Sequence, residues 1–223
     1  MNMYKDVMAK VNEKNFDFYN RIGLDTFQSL AIAGGFNTFV DLEIAYRYIN
    51  PNEKIVEIGA GYGRCIDFLL QKEHKGTIAA IEQSNVLYKH LEEKYKKNAV
   101  QIIEGDVFNI ELLDKMDTAL WMWSGIIDFA PEEQEAAIKH VATILTDKGK
   151  LFIDTPKIGT QTIASHLDEQ RINLTTDFGR IECYIPVFSE IKDFADKAGF
   201  VRVDEINYET STEKKRTMYI LMK

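Results

Sequence analysis

One short segment limits the fold of this 223-residue chain more than any other. In KIVEIGAGYGRC, residues 54–65, a mostly apolar run is followed by three alternate glycines, Gly59, Gly61 and Gly63. Glycine tolerates positive φ angles and lets a ligand approach the backbone closely, and a helix that follows such a turn points free N–H groups at the ligand. The segment therefore predicts a buried strand, a tight turn beside a ligand crevice, and a helix that begins near Arg64.

The central region repeats this alternation of strand and helix. Strands are predicted near residues 54–58, 77–81, 99–103, 118–122 and 149–154, and helices near 63–72, 85–96 and 131–145. Apolar strands separated by amphipathic helices are typical of an α/β fold with a doubly wound, mostly parallel sheet. Near the end of the chain, two predicted strands are joined by the polar turn TSTEKK, which is short enough only for antiparallel pairing. The sheet is therefore predicted to end in a C-terminal antiparallel hairpin.

The first fifty residues do not follow this pattern. Residues 1–50 are predicted to form an N-terminal helical cap or lid, in which Asp25 or Thr26 caps one helix and Thr38 caps the next. The main domain is then predicted to cover residues 51–223.

Acidic side chains lie at the ends of the strands that follow the glycine turn. Glu82 ends the second predicted strand, about 20 residues after the first glycine, which is the spacing at which an acidic residue binds a ribose. Asp106 follows the third strand, and Glu57 lies within the first. The carboxyl ends of parallel strands meet at one crevice, and a carboxylate accepts hydrogen bonds from ribose hydroxyls. Together these residues predict an adenosine-binding site.

These residues also carry a family resemblance. VEIGAGYGR, AIEQS and EGDVF, within residues 52–155, resemble the successive motifs of the class I S-adenosylmethionine-dependent methyltransferases. The resemblance implies a Rossmann-like domain with a seven-stranded sheet, S-adenosylmethionine as cofactor and S-adenosylhomocysteine as its product. It implies that the cofactor contacts Glu57, Gly59, Ala60, Gly61, Glu82, Gln83, Asp106, Val107 and Trp123.

The resemblance also implies a role for several of these residues. Gly59 and Gly61 would lie against the methionine part of the cofactor, and Glu82 would bind the ribose. Asp106 would bind the adenine amino group, with apolar side chains such as Val107 on the ring face. Glu57 would either order the glycine turn or bind the ammonium group of the cofactor.

The acceptor side of the site is less defined by the sequence. The segment after the fourth strand lacks the Asn or Asp followed by Pro-Pro and an aromatic residue that marks methyltransferases of nucleobase amino groups, and neither Cys65 nor Cys183 follows a proline. No catalytic residue is assigned. Residues 171–186 are predicted to be a β-rich insertion on the substrate side. From topology alone, the acceptor-side candidates are Tyr4, Tyr19, Trp123, Asp128, Thr155, Lys157, His166 and Tyr184.

Composition limits the partners of the protein. The formal net charge is −8 and the basic residues are scattered, which disfavours nucleic acid and anionic membranes. Two distant cysteines and the lack of a secretory signal favour the cytoplasm. Four histidines without paired metal-ligand spacing predict no metal site. The protein is expected to be a monomer or a homodimer.

The predicted function is S-adenosylmethionine-dependent transfer of a methyl group, by in-line displacement, to nitrogen or oxygen of a small molecule. Two alternatives remain at this point. An NAD-dependent oxidoreductase would share the first strand, the glycine turn and the ribose carboxylate, although its glycines follow the spacing G-x-G-x-x-G. A non-catalytic cofactor-binding partner protein would share all of the binding residues.

Overall fold

The computed structural model describes residues 15–110, 112, 114–160 and 170–223. Its helices are α1 (residues 15–21), α2 (Leu24–Ala33), α3 (Val40–Tyr46), α4 (Arg64–Gln71), α5 (Asn85–Tyr95), α6 (Pro131–Ile144) and α7 (Phe188–Ala198). Its strands are β1 (Ile55–Ile58), β2 (Ile78–Glu82), β3 (Val100–Glu104), β4 (Met116–Trp121), β5 (Leu145–Pro156), β6 (Arg171–Thr176), β7 (Gly179–Tyr184), β8 (Arg202–Glu209) and β9 (Lys215–Met222).

The main sheet has seven strands in the order β3-β2-β1-β4-β5-β9-β8. Strands β1 to β5 pair in parallel, and β9 pairs antiparallel with both β5 and β8. The predicted mostly parallel, seven-stranded sheet with a terminal antiparallel hairpin is therefore confirmed. The strand order reverses at β1, which lies between β2 and β4, and ligands of such sheets bind outside the strand ends at this reversal.

Both faces of the sheet are covered, as an apolar strand pattern requires. Every residue of β1 and of β2 is buried. Because successive side chains of a strand point to opposite faces, Val56 and Ile58 pack in a cluster with α6 and α7, whereas Ile55 packs in a second cluster with α3, α4 and α5. Helices on both faces hold the strand ends in fixed positions, which matters for the site built there.

The predicted helix caps in the N-terminal region were wrong. Helix α2 begins at Leu24 behind Gly23, whose φ of 72° makes the turn, so that Asp25 lies inside the first helical turn. A 3-10 turn follows α2, and the Thr38 hydroxyl in it donates to a backbone carbonyl 3.2 Å away at Gly35. Helix α3 begins only after Phe39. At the start of both helices, a residue with positive φ makes the turn and no side chain caps the helix.

Strands β6 and β7 form a separate two-stranded hairpin. The side-chain amide of Asn15 in α1 binds strand β7: it donates to the Glu182 carbonyl at 2.9 Å and accepts from the Glu182 N–H at 3.1 Å. The rings of Phe18 and Phe178 also meet, with centroids 6.3 Å apart. The hairpin is thus joined to α1.

Within the described residues, none of the helices combines the length and apolar character needed to cross a bilayer.

Candidate active site

The glycine turn after β1 has two different faces. Gly59, Gly61 and Gly63 all have positive φ, at 68°, 58° and 89°. A Cβ atom on Gly63 would lie 2.3 Å from the Tyr95 hydroxyl oxygen, so glycine is needed there for close packing of α4 against α5. A Cβ on Gly59 would meet no atom within 4 Å. The backbone at Gly59 is therefore bare and borders open space.

Glu82 braces this turn from the end of β2. Its Oε2 atom accepts a hydrogen bond from the Gly61 N–H at 2.7 Å, and its Oε1 atom accepts one from the Ser84 N–H at 2.8 Å. Burial raises the pKa of Glu82 to about 7, and these backbone donors act in the opposite direction. Each carboxylate oxygen retains a lone pair, so the side chain can still accept hydrogen bonds from a ligand.

Glu57 carries a buried oxygen atom with no hydrogen-bond partner among the described residues. The side chain is 4% exposed, and its Oε2 atom is the unpartnered one. Burial raises the pKa of Glu57 to about 8, although a hydrogen bond from Cys65 lowers it. An unsatisfied buried polar atom is costly, so this oxygen fits a site at which a ligand supplies a donor.

Asp106 shapes the loop that follows β3. Its Oδ1 atom accepts from the Phe108 N–H at 2.7 Å, and its Oδ2 atom accepts from the Asn109 side chain at 2.9 Å. An aspartate that binds the backbone two residues ahead forms a tight turn. This turn brings the buried side chain of Val107 to the same cavity as the carboxylates.

One cavity joins these elements at the carboxyl ends of the parallel strands. It encloses about 880 Å³ of empty space, part of which is open to solvent. Its wall includes every residue that the resemblance implies for the cofactor. It also includes residues that the sequence analysis did not predict, among them Phe27, Tyr62, Arg64, Leu87, Trp121 and Phe129.

Asp128, one of the acceptor-side candidates, lies on the wall of this cavity, at the end of a 3-10 turn that follows β4. It accepts hydrogen bonds from the Tyr19 hydroxyl at 2.7 Å, from the Asn15 amide at 3.3 Å and from the Cys183 thiol at 3.7 Å. Burial raises the pKa of Asp128 to about 7, while the Tyr19 and Cys183 hydrogen bonds lower it. Burial, followed by the nearby Asp128 charge, raises the pKa of Tyr19 well above its usual value.

Aromatic side chains form the outer wall. Phe27 of α2 stacks on Trp123 with ring centroids 4.9 Å apart and an interplanar angle of 18°. The same phenylalanine lies 2.9 Å from the position that a Cβ on Gly61 would take, and its ring meets Tyr62 edge-on at 5.9 Å. Helix α2 therefore covers the glycine turn. No pattern in the sequence relates this helix to the sheet, which is why Phe27 was missed.

Two buried ion pairs support this aromatic wall. Arg64 binds Asp41 with an Nη1–Oδ1 distance of 2.8 Å, and Arg216 binds Asp154 with an Nη2–Oδ2 distance of 2.5 Å. The two guanidinium groups lie over the ring of Phe36, at 5.2 and 5.1 Å from its centroid. Paired and satisfied in this way, the four charges are tolerated in the interior.

The second ion pair also fixes the backbone next to Trp123. Trp123 and Ser124 both have positive φ, at 49° and 71°, which is unfavourable for residues other than glycine. Ser124 donates its N–H to the Asp154 carbonyl at 2.9 Å, and its hydroxyl accepts from Arg216 at 2.7 Å. The ring of Phe36 contacts Trp123 at 5.5 Å. These contacts offset the strain and hold the indole in place.

Three of the remaining acceptor-side candidates, Thr155, Lys157 and Tyr184, are not among the residues of the cavity wall. Tyr4 and His166 lie outside the described residues. Thr155 is fully buried in β5, and Lys157 follows that strand. The Tyr184 hydroxyl donates to Glu190 at 2.5 Å.

Among the described residues, no group of three or more His, Cys, Asp or Glu side chains is placed to hold a metal ion.

Comparisons with known proteins agree with this geometry. Residues 55–149 match the methyltransferase domain family. A curated relative, the ribosomal RNA small subunit methyltransferase A of Ureaplasma urealyticum serovar 10, is 33% identical over 96 residues, or 43% of this chain and 30% of that protein. The chain thus matches less than a third of the length of this relative.

Solved structures share the fold over most of the chain. An amino pentose methyltransferase from Micromonospora echinaspora, with S-adenosylmethionine bound, aligns with a TM-score of 0.63 and 12% identity over 88% of this chain and 96% of its own. The magnesium protoporphyrin IX methyltransferase from Synechocystis PCC 6803 aligns with a TM-score of 0.64 and 18% identity, over 100% of this chain and 98% of its own. A sugar N-methyltransferase from Streptoalloteichus sp ATCC 53650 aligns with a TM-score of 0.62 and 14% identity, over 81% of this chain and 84% of its own.

Residues 55–149 therefore contain a methyltransferase domain, and the shared fold agrees with the class I S-adenosylmethionine-dependent methyltransferases that the motifs at the glycine turn resemble. The cofactor of this class is S-adenosylmethionine. The matched methyltransferase domain supports the predicted enzyme class over the NAD-dependent alternative.

Proposed function

We propose that this protein transfers a methyl group from S-adenosylmethionine to nitrogen or oxygen of a small-molecule acceptor. The observation that carries the proposal is the unpartnered Oε2 atom of Glu57, buried beside the bare backbone of Gly59. An α-ammonium group supplies the donor that this oxygen lacks, and a charge-assisted hydrogen bond of this kind is among the stronger ones.

In this proposal each of the other cofactor-binding residues contacts a different part of the cofactor. Gly59 and Gly61 receive the methionine part, Glu82 accepts from the ribose hydroxyls, and the Asp106–Val107 turn receives the adenine. When bound, the cofactor supplies a methyl carbon that is activated by its sulfonium. Positioning of the acceptor can therefore provide most of the rate acceleration. The protein then has to hold the acceptor in line and accept a proton from it.

The charge of the site supports a small acceptor over a nucleic acid. Four carboxylates border the cavity, from Glu57, Glu82, Asp106 and Asp128, and the whole chain carries a net charge of −8. Phosphate groups are repelled by such a surface. Two of the similar structures act on an amino pentose and on a sugar nitrogen, which also supports a small acceptor. The curated relative that methylates ribosomal RNA matches over a minority of its own length.

We further propose that the N-terminal region covers the site, as predicted for residues 1–50. In the described part, Tyr19 and Phe27 lie on the cavity wall, and Asn20 accepts a hydrogen bond from the Ser84 hydroxyl at 2.8 Å. The β6–β7 hairpin, within the predicted insertion at residues 171–186, borders the acceptor side through Cys183. Such a cover excludes water from the reacting groups.

Cofactor binding tests the proposal directly. S-adenosylhomocysteine should raise the melting temperature, since a ligand at 100 times its dissociation constant stabilises the folded state by about 2.7 kcal/mol. NADH at the same concentration should have no effect. Stabilisation by NADH alone would contradict the proposal.

Turnover separates the enzyme from the non-catalytic alternative. S-adenosylmethionine is incubated with the protein and a panel of amines, phenols and carboxylates, and release of S-adenosylhomocysteine is measured. Release with at least one acceptor supports methyl transfer. Tight cofactor binding with no release across the whole panel would instead support a non-catalytic binding protein.

A further inference from the structure

The cavity wall is strongly asymmetric in charge. The wall carries four carboxylates. Arg64 is the cationic side chain that the described residues contribute to it. Its guanidinium already binds Asp41 through both terminal nitrogens and also donates to the Phe36 carbonyl at 3.4 Å. The positive charge of Arg64 is therefore neutralised inside the protein, and the other described residues of the wall supply no cation to the carboxylates that face the cavity.

Asp128 differs from the other three carboxylates in its position. Glu57 lies in β1, Glu82 ends β2 and Asp106 follows β3, where the proposed function places the cofactor. Asp128 follows the fourth strand and lies between α1 and the hairpin. Its partners there are a phenol, an amide and a thiol, all of them neutral donors. No cation forms an ion pair with Asp128 in the part of the chain that the structure describes.

The side chains around Asp128 also favour a cation. Tyr19, Phe27, Trp123 and Phe129 share the cavity wall with it. Aromatic faces attract ammonium groups through the ring quadrupole, and the attraction increases when water is excluded. A hydroxyl group gains little from either feature, and a carboxylate is repelled by Asp128.

We infer that the acceptor is an amine, which binds as its ammonium form against the aromatic wall and transfers a proton to Asp128. This inference rests on the proposed methyl transfer and narrows its acceptor to nitrogen. In the proton transfer an N–H bond breaks, its electron pair stays on nitrogen, and an O–H bond forms on the carboxylate. The freed lone pair then forms the N–CH₃ bond with the sulfonium methyl carbon, and sulfur leaves with the electron pair of the broken C–S bond.

Three probes of nearly equal shape test the inference: benzylamine, benzyl alcohol and benzoate. Each is titrated calorimetrically into the 223-residue chain saturated with S-adenosylhomocysteine, at pH 8. Benzylamine should bind at least about tenfold more tightly than benzyl alcohol, because its ammonium forms an ion pair and a cation–π contact. Benzoate should not bind measurably.

Variants assign the preference to Asp128. In Asp128→Asn, the affinity for benzylamine should fall to about that of benzyl alcohol, while S-adenosylhomocysteine still binds. Glu132→Gln removes the same charge from an exposed position nearby and should change neither affinity. If Asp128→Asn does not fold, the order of the three probes on the unmodified protein decides alone.

The failures can be told apart. If S-adenosylhomocysteine does not bind the unmodified protein, the proposed function is wrong. If it binds but benzylamine shows no binding or no advantage over benzyl alcohol, only the amine inference is overturned. The same holds if a folded Asp128→Asn variant keeps the preference for benzylamine.

Discussion

The side of the cavity that we propose binds the cofactor (the cofactor side) and the side that we propose binds the acceptor (the acceptor side) are assembled in different ways. On the cofactor side, the contacts join turns at the ends of neighbouring strands, as between Gly61 and Glu82. On the acceptor side, Asn15 reaches Asp128 across 113 positions of the chain and Glu182 across 167. The comparison teaches that the sheet topology itself builds the cofactor side. The acceptor side depends on side chains from separate segments, which can vary without disturbing the sheet.

The largest expected effect concerns the ion pair that holds the acceptor side. Arg216→Met leaves Asp154 buried without its partner, and breaking a buried pair typically costs about 3–5 kcal/mol of folding free energy. The measurement is urea unfolding. Arg202→Met, at an exposed ion pair whose arginine side chain is 66% exposed, is the matched control and should unfold at nearly the same urea concentration as the unmodified protein. Similar losses in the two variants would contradict the importance of the buried pair.

The second prediction concerns Glu57 on the cofactor side. Its folded pKa of about 8 lies above its usual value of 4.5, so the ligand-free folded state binds more protons than the unfolded state between these values. The contribution to stability is full below pH 4.5 and is lost as the pH rises through about 8. Relative to Glu57→Gln, the unmodified protein should lose about 2–4 kcal/mol between pH 5 and pH 8. Parallel stability curves for the two proteins would contradict the burial of this charge.

The third prediction compares two acidic residues at adjacent strand ends. Glu82→Ala removes a carboxylate that braces the glycine turn, and it should weaken S-adenosylhomocysteine binding by about 1–3 kcal/mol. Glu104 is paired with Glu82 in the sheet but is exposed, so Glu104→Ala should bind normally. Calorimetry measures both affinities. Normal binding by Glu82→Ala would disprove its assignment to the ribose.

A smaller effect is expected from the cover of the glycine turn. Phe27→Ala removes the stacked contact with Trp123, which is worth about 0.5–1.5 kcal/mol beyond its buried area. S-adenosylhomocysteine should therefore dissociate several-fold faster, as stopped-flow tryptophan fluorescence can measure. Leu30→Ala on the same helix, at a side chain that is 47% exposed, is the control. Equal dissociation rates for the three proteins would show that α2 does not cover the bound cofactor.

The smallest effect concerns the proton-accepting group. Tyr19 and Cys183 are the titratable donors that face Asp128, and both lower its pKa, whose value is about 7. Tyr19→Phe should therefore raise this pKa, because it removes a hydrogen bond that stabilises the charged carboxylate. The midpoint can be followed by carbon NMR of labelled aspartate. A midpoint that falls or does not move would contradict the hydrogen bond between the two side chains.

The sequence predicted the cofactor side more completely than the acceptor side. The strand, glycine turn and helix around residues 54–72 follow from local patterns, and so do the strand ends that carry Glu82 and Asp106. The N-terminal helix starts were wrong because Gly23 and Phe39 set the turns by positive φ, without side-chain caps. Contacts such as that between Phe27 and Trp123 join distant segments, and no local pattern encodes them.

The most direct test of the central claim is a crystal structure with S-adenosylhomocysteine bound. The account predicts the ribose at Glu82, the adenine beside Asp106 and the ammonium within hydrogen-bond distance of Glu57 Oε2. A ligand bound away from the glycine turn, or with its ammonium directed away from Glu57, would contradict the account.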